Sequence, residues 1–196
     1  TGMKVFGITF NNLSKYDGCF PVKKEQTQIG DFFQKIDQVI ELQQKALDTA
    51  RAYKQSMLQK MFPQKGEKVP RVRFEGFSGD WDKYYLADIV HQVRSYSLSR
   101  GVETEDYTGV KYIHYGDIHL GKARYLQTDE ELSFINFDID CTVLQQGDLV
   151  VADASEDYLG IAEPCVINFE PQTKLVAGLH TIAIRPDQSQ NSIFLF

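Results

Sequence analysis

The stretch from Phe20 to Pro63 constrains this chain more than any other. A turn-like PVKKEQTQ leads into about 38 residues of unbroken helical pattern, closed by FPQKG. At 1.5 Å per residue such a helix is roughly 57 Å long, too long for the core of a domain this size, so it is expected to act as a spacer or a dimerisation rod. Apolar residues recur along it at Ile29, Phe32, Phe33, Ile36, Val39, Ile40, Leu47, Ala50, Tyr53, Met57, Leu58 and Met61, with Gln43 as a polar interruption. Spacings of three, four and seven define one continuous seam of the kind coiled coils bury. An isolated helix with such a seam needs a partner helix, although Phe32 and Phe33 are bulky enough to pack on the chain's own domain.

The rest of the 196-residue chain, at 42% hydrophobic and 24% charged residues, can bury a real core as one domain or two small ones. No apolar run approaches the ~20 residues that cross a bilayer, and no basic stretch followed by an apolar core marks a signal, so a cytoplasmic protein is expected. Cys19, Cys141 and Cys165 are odd in number, widely spaced and in no CxxC arrangement, which supports neither a disulfide framework nor zinc. A net charge of −6 argues against a nucleic-acid partner until its distribution is considered. Arg51, Lys54, Lys60, Lys65, Lys68, Arg71 and Arg73 face the single acid Glu67, whereas from Gln127 onward only Lys174 and Arg185 offset twelve Asp and Glu. Local fields decide where a polyanion docks.

Along the chain, Lys4 to Ser14 reads as a short strand followed by a loop in which Asn11 and Asn12 turn or cap the backbone. After the helix and the connector FPQKGEKVP, GFSGDW supplies two glycines and Trp81, which is expected to plug the start of the core. Leu86, Ile89 and Val90 suggest a short helix or strand before a polar loop. Strand-like runs then follow in quick order: VKYIHYG, ARYLQ, SFINF, CTVLQQGDLVVADAS, PCVINF and KLVAGLHTIAIRP. The fold class is α+β, an irregular β-rich domain with a long coiled-coil helix. The apolar IFLF ending resembles an interruption inside a domain.

Three segments carry a family resemblance. FPVKKEQTQIGDFFQKIDQVI (20–40) resembles the passage from the target recognition domain of a type I restriction-modification specificity subunit into its spacer helix, through Pro21, Glu25, Gln26, Ile29, Phe33 and Asp37. LQKMFPQKGEKVPRVRFEGFSGDWDKYYLADI (58–89) resembles the junction from that helix into the next recognition domain, and YIHYGDIH (112–119) that domain's strand and Gly-Asp turn. The resemblance implies a non-catalytic subunit that reads double-stranded DNA and directs separate methyltransferase and restriction subunits to the target. In full form it holds two recognition domains apart on two antiparallel helices. This chain is then about half a subunit in circularly permuted order: residues 1–22 a carboxy-terminal piece of a recognition domain, 23–62 the spacer helix, and 63–196 the amino-terminal part of a recognition domain. Two copies would pair their helices antiparallel as a homodimer, each front half completed by a tail.

Base edges are read by side chains, while Lys and Arg on phosphates mostly set position. The strongest candidate loop is KYIHYGDIHLGKARYLQ (111–127), where Lys111, Tyr115, His119, Lys122, Arg124 and Tyr125 cluster around a Gly-rich bend; an ordinary solvated hairpin is the bland alternative. Lys4, Thr9, Asn11 and Asn12 form a weaker set, because Asn can pair bidentately with adenine. Arg94, with Ser95 and Arg100, is a candidate for phosphate. Catalytic readings find little: His114, Asp117 and His119 would point apart in a strand and turn, Asp138 and Asp140 lack a lysine at close spacing for a nuclease site, and no Gly-rich phosphate loop, serine elbow or methyltransferase motif is present. No cofactor, metal or catalytic residue is expected. The competing hypothesis is a coiled-coil protein-interaction module that binds no DNA, which the acidic carboxy-terminal half favours.

Overall fold

The computed structural model describes residues 7–121, 123–155, 158 and 160–196. The chain divides into two compact units, Thr1–Asp82 and Lys83–Phe196. The first is dominated by the expected helix, here α2, Lys23–Met61, 39 residues long. Pro21 precedes it, Glu25 lies in its first turn and Lys60 in its last, each with the sign the helix dipole favours. Phe62, with extended backbone, ends it. None of its residues is buried: Ile29, Phe32, Phe33, Ile36, Val39, Ile40, Leu47, Tyr53 and Leu58 are all exposed, and Met57 is half-buried. At seven-residue spacing the stripe resolves into three adjacent columns: Ile29, Ile36, Gln43, Ala50 and Met57; Phe32, Val39, Ala46 and Tyr53; Phe33, Ile40, Leu47, Lys54 and Met61. A two-helix seam needs two such columns; three make a face more than 100° wide.

Before α2, the loop expected around Asn11 and Asn12 is a single helical turn, α1, Phe10–Leu13, capped by Thr9, whose Oγ1 accepts from the Asn12 N–H at 3.3 Å. After α2, Trp81 differs from expectation. It belongs to the helical unit, its ring edge-on to Phe62 at 5.9 Å with Arg73 at 6.0 Å, while its N–H donates to the Lys68 carbonyl. Trp81 therefore clips the connector together instead of plugging a β core, and the compact β unit begins at Lys83.

That unit contains two sheets. A 3-10 turn at Leu86–Asp88 leads into β1, Val90–Val93, which edges a five-stranded sheet in the order β1-β9-β6-β7-β4. Here β9 is Thr181–Pro186, β6 Leu149–Ala152, β7 Pro164–Ile167 and β4 Tyr125–Leu126, the last pair parallel and the others antiparallel. The second sheet runs β2-β5-β3-β8, with β2 Glu103–Thr104, β5 Phe134–Ile135, β3 Val110–Ile113 and β8 Lys174–Ala177, parallel only between β3 and β8. Each strand-like run of the sequence contributes one strand, except KLVAGLHTIAIRP, which folds back at Gly178–His180 into β8 and β9. Gly178 is required there: a Cβ would overlap the Tyr112 ring and the Ile113 carbonyl. His180 itself takes a left-handed φ of 55°, an uncommon conformation for a residue with a side chain.

The main core lies around Ile113, Ile118, Leu144, Val150, Cys165, Ile167 and Leu175, and a smaller one joins Leu98, Val110, Tyr112, Ile135 and Val176. Burial pushes the Cys165 thiol up to about 12, which makes it an inert core residue. The turn into β6 is held by Asp148, 1% exposed, whose carboxylate receives two nitrogens of Arg185 at 2.8 and 2.7 Å and the Gln145 N–H at 2.8 Å. At the carboxy end IFLF forms a short helix, α4, Ser192–Leu195, capped by Asn191. Among the described residues no helix is long and apolar enough to cross a membrane.

Candidate nucleic-acid interface

The segment expected to form a Gly-rich bend between strands turns instead into a helix. β3 passes directly into α3, Tyr115–His119, because His114 and Asp117 close a reciprocal cap. The His114 ring nitrogen Nδ1 accepts from the Gly116 N–H at 3.1 Å, and the Asp117 carboxylate accepts from the His114 N–H at 2.9 Å. Asp117 also receives Arg100 Nη2 at 2.8 Å; the other Arg100 nitrogen meets Glu103, whose carboxylate accepts from the Tyr112 hydroxyl at 2.8 Å. Burial would raise the Glu103 pKa, but the hydrogen bonds from Arg100 and Tyr112 outweigh it and hold this carboxyl below its ordinary value. Burial, reinforced by the nearby Arg100 charge, pushes His114 down and keeps it neutral, the form its capping role needs.

This network fixes the direction of Tyr115. Its ring lies 4.4 Å from His114, 5.7 Å from His119 and 5.4 Å from His180, the last two near perpendicular. His119 faces two acceptors, Glu163 Oε2 at 3.2 Å and the Ala154 carbonyl at 3.0 Å, so both contacts are hydrogen bonds only when the ring carries two protons. His180 Nδ1 meets Asp153 Oδ1 at 3.3 Å, and Asp153 donates its N–H to the His180 carbonyl.

Beside this cluster, where the chain leaves β1 for the second sheet, an open cleft is lined by Gln92, Arg94, Ser95, Asp153, Thr181 and Ile182. Val93 points into the core, so strand alternation sends Gln92 and Arg94 outward, and both are exposed. Arg94 stacks on Tyr96 with its guanidinium carbon 5.1 Å from the ring centre.

Sequence-predicted residues fall in several places. Tyr115 and His119 join one cluster, and Arg94 lies in the adjoining cleft, linked through Asp153 and His180. Arg124 and Tyr125 are exposed at β4, the opposite edge of the same sheet, with Tyr125 edge-on to Phe196 at 6.1 Å. Lys111 differs from expectation: its side chain is buried, the ammonium bonded to the Asp129 carbonyl at 2.6 Å and carboxylate at 3.3 Å and lying over the Phe134 ring, so it is unavailable to a groove. Asn11 and Asn12 are exposed on α1, and Thr9 is exposed at its cap, in the helical unit. Lys4 and Lys122 lie outside the described residues. Asp117, once weighed as part of a histidine cluster for metal, is turned inward to Arg100, and Asp138 is paired with Lys174 at 2.7 Å.

Sequence inspection missed Gln92, Asp153 and His180. The alternation of Val93 between two polar residues was one available signal; the glycine before Leu179 was another, since it divides an apparent single strand.

The charge of this unit sharpens the picture. Lys83–Phe196 carries eight Lys and Arg against seventeen Asp and Glu, a formal −9. Arg100, Lys111, Lys174 and Arg185 are each paired with a carboxylate. Among the described residues only Lys83, Arg94 and Arg124 have no carboxylate partner in this unit.

The fold has known counterparts. One is a chain from structural work on complex assembly and conformational transition of the type I R-M system, with a TM-score of 0.54 and 14% identity over 88% of this chain and 38% of that one. Another is the crystal structure of the HsdS subunit from Thermoanaerobacter tengcongensis, with a TM-score of 0.50 and 14% identity over 86% of this chain and 37% of that one. The chain therefore has the α+β fold found in type I specificity subunits, and spans under two fifths of the length of either structure. No family model matches the sequence, and no curated protein does.

Proposed function

We propose that this chain is the DNA-recognition component of a type I restriction-modification system, a non-catalytic cytoplasmic subunit that brings methyltransferase and restriction subunits to a target sequence. The observation that carries the reading is the fold likeness over 88% of the chain, a share larger than either of its two units. The wide exposed face of α2 supports it, because an uncovered apolar stripe of nine turns or more requires helical partners: a second copy in antiparallel pairing, and the methyltransferase subunit beside it. On this reading Arg94, Tyr115, His119, Arg124 and Tyr125 contribute to the DNA-facing surface. The −9 charge of the β unit favours a second reading, a protein-interaction module that binds no DNA.

Co-purification with the cognate methyltransferase subunit, followed by mapping of methylated sites, separates the two. A stable complex that methylates one defined motif is the expected result. No complex and no methylation with any methyltransferase subunit would leave the interaction module standing.

A further inference from the structure

Polyanion contact and base reading demand different chemistry. A phosphate site collects donors and excludes carboxylates, whereas the edge of a G·C pair in the major groove presents the two acceptors of guanine next to the amino donor of cytosine. A site complementary to that edge needs a donor fork and an acceptor side by side.

The cleft at the end of β1 has this composition. Arg94 and Asp153 both line it, and they are not ion-paired with each other. Arg94 is oriented by stacking on Tyr96 and not by a carboxylate, so its N–H groups remain available in a fixed plane. Asp153 is anchored through its own N–H to the His180 carbonyl and through Oδ1 to the His180 ring, which leaves Oδ2 as an acceptor. His180 is in turn held by its left-handed turn and by the Tyr115 ring. Both groups thus stand on a sheet and its turn and not on a long loop. A carboxylate beside Arg94 would repel a phosphate.

We propose that the Arg94–Asp153 cleft recognises one G·C base pair, with the Arg94 guanidinium on guanine O6 and N7 and the Asp153 carboxylate on the cytosine amino group. Gln92 and Ile182 border the same cleft and face the neighbouring pair. The inference rests on the DNA-recognition reading above and assigns part of its specificity.

The test is the methylated motif produced by the full chain with its methyltransferase subunit, mapped for the parent and for Arg94→Met, Arg94→Ala and Asp153→Ala. The expected result is that all three variants lose discrimination at the same single G·C position by roughly ten- to a hundredfold, with the other positions unchanged and thermal unfolding unaltered. Arg94→Met keeps the apolar stem on Tyr96 but neither the charge nor the donors, so its retention of the parent motif would mean that Arg94 reads no base and would overturn the proposal. A uniform loss of methylation at all sequences, or relaxation of different positions by the Arg94 and Asp153 variants, would overturn it too. Should Arg94→Ala fail to fold, Arg94→Met with Asp153→Ala still decides. If the parent protein itself directs no methylation, the DNA-recognition reading falls and this assignment falls with it, an outcome distinct from a parent motif that the variants leave intact.

Discussion

Phe32 and Phe33 on α2 are more than half exposed, while in the β unit Ile113, Val150 and Ile167 are fully enclosed and even Lys111 is drawn inside beside Asp129. The two regions treat the same kinds of residue in opposite ways. In the β unit, stability is internal: strands cover one another, and most described cations close onto carboxylates. On α2 the apolar area faces outward, so on the reading proposed above its burial belongs to association and not to folding of the single chain. Damage to one region should therefore leave the other's measurable property intact.

The largest effect expected is at Asp148. Asp148→Ala leaves the half-buried Arg185 and the Gln145 N–H of the turn before β6 without their carboxylate acceptor, a change that costs about 3 kcal/mol. Chemical denaturation followed by the near-ultraviolet signal of the β unit should show it, while self-association through α2 persists. A loss below about 1 kcal/mol would mean that the β unit does not depend on its internal pairs as described. Next comes the converse change, Ile36→Glu with Ile40→Glu, which would place two carboxylates in any helix pair. Self-association measured by sedimentation should weaken by on the order of a hundredfold or more, and the β unit's unfolding temperature should not move. Unchanged association would show that the exposed columns are not the contact face.

The smallest effect concerns acid. Glu103 has its folded pKa depressed, so the stability it contributes is present above its unfolded value near 4.5 and is lost as pH falls through the folded one. His114 is also depressed, and since the unfolded ring takes up a proton more readily, it removes stability as pH drops below about 6.5. Glu103→Gln should flatten the lower part of the acid-unfolding curve and His114→Gln the upper part, with no corresponding change in α2 association. Identical acid profiles for parent and variants would remove the Arg100–Glu103–Asp117 network from the account.

How far the sequence anticipates this molecule depends on whether the relevant interaction is local. The bounds of α2 follow from Pro21, Pro63 and a seven-residue pattern, all within one element, and the strand runs follow from β-branched residues between turn residues. The segment 110–121 was misleading because a five-residue helix is decided by one reciprocal cap, His114 with Asp117, and short caps look like any turn. Lys111 read as a surface cation because its partner Asp129 lies 18 residues further on. Arg94 was legible as a polar exposed residue, but Asp153 and His180, which complete its surroundings, come from turns after β6 and β8 that only the sheet order brings near.

Gln43 carries a consequence for spacing. It is the amide in the central column of the stripe, almost midway along a helix running from 23 to 61. In the antiparallel pair proposed above, two copies aligned about that point would set each amide against its twin, donor to acceptor, whereas sliding one rod by a heptad would press each amide into aliphatic surroundings and shift the ends by about 10 Å. A single side chain would then calibrate the instrument, fixing the gap between two half-sites to a whole number of base pairs.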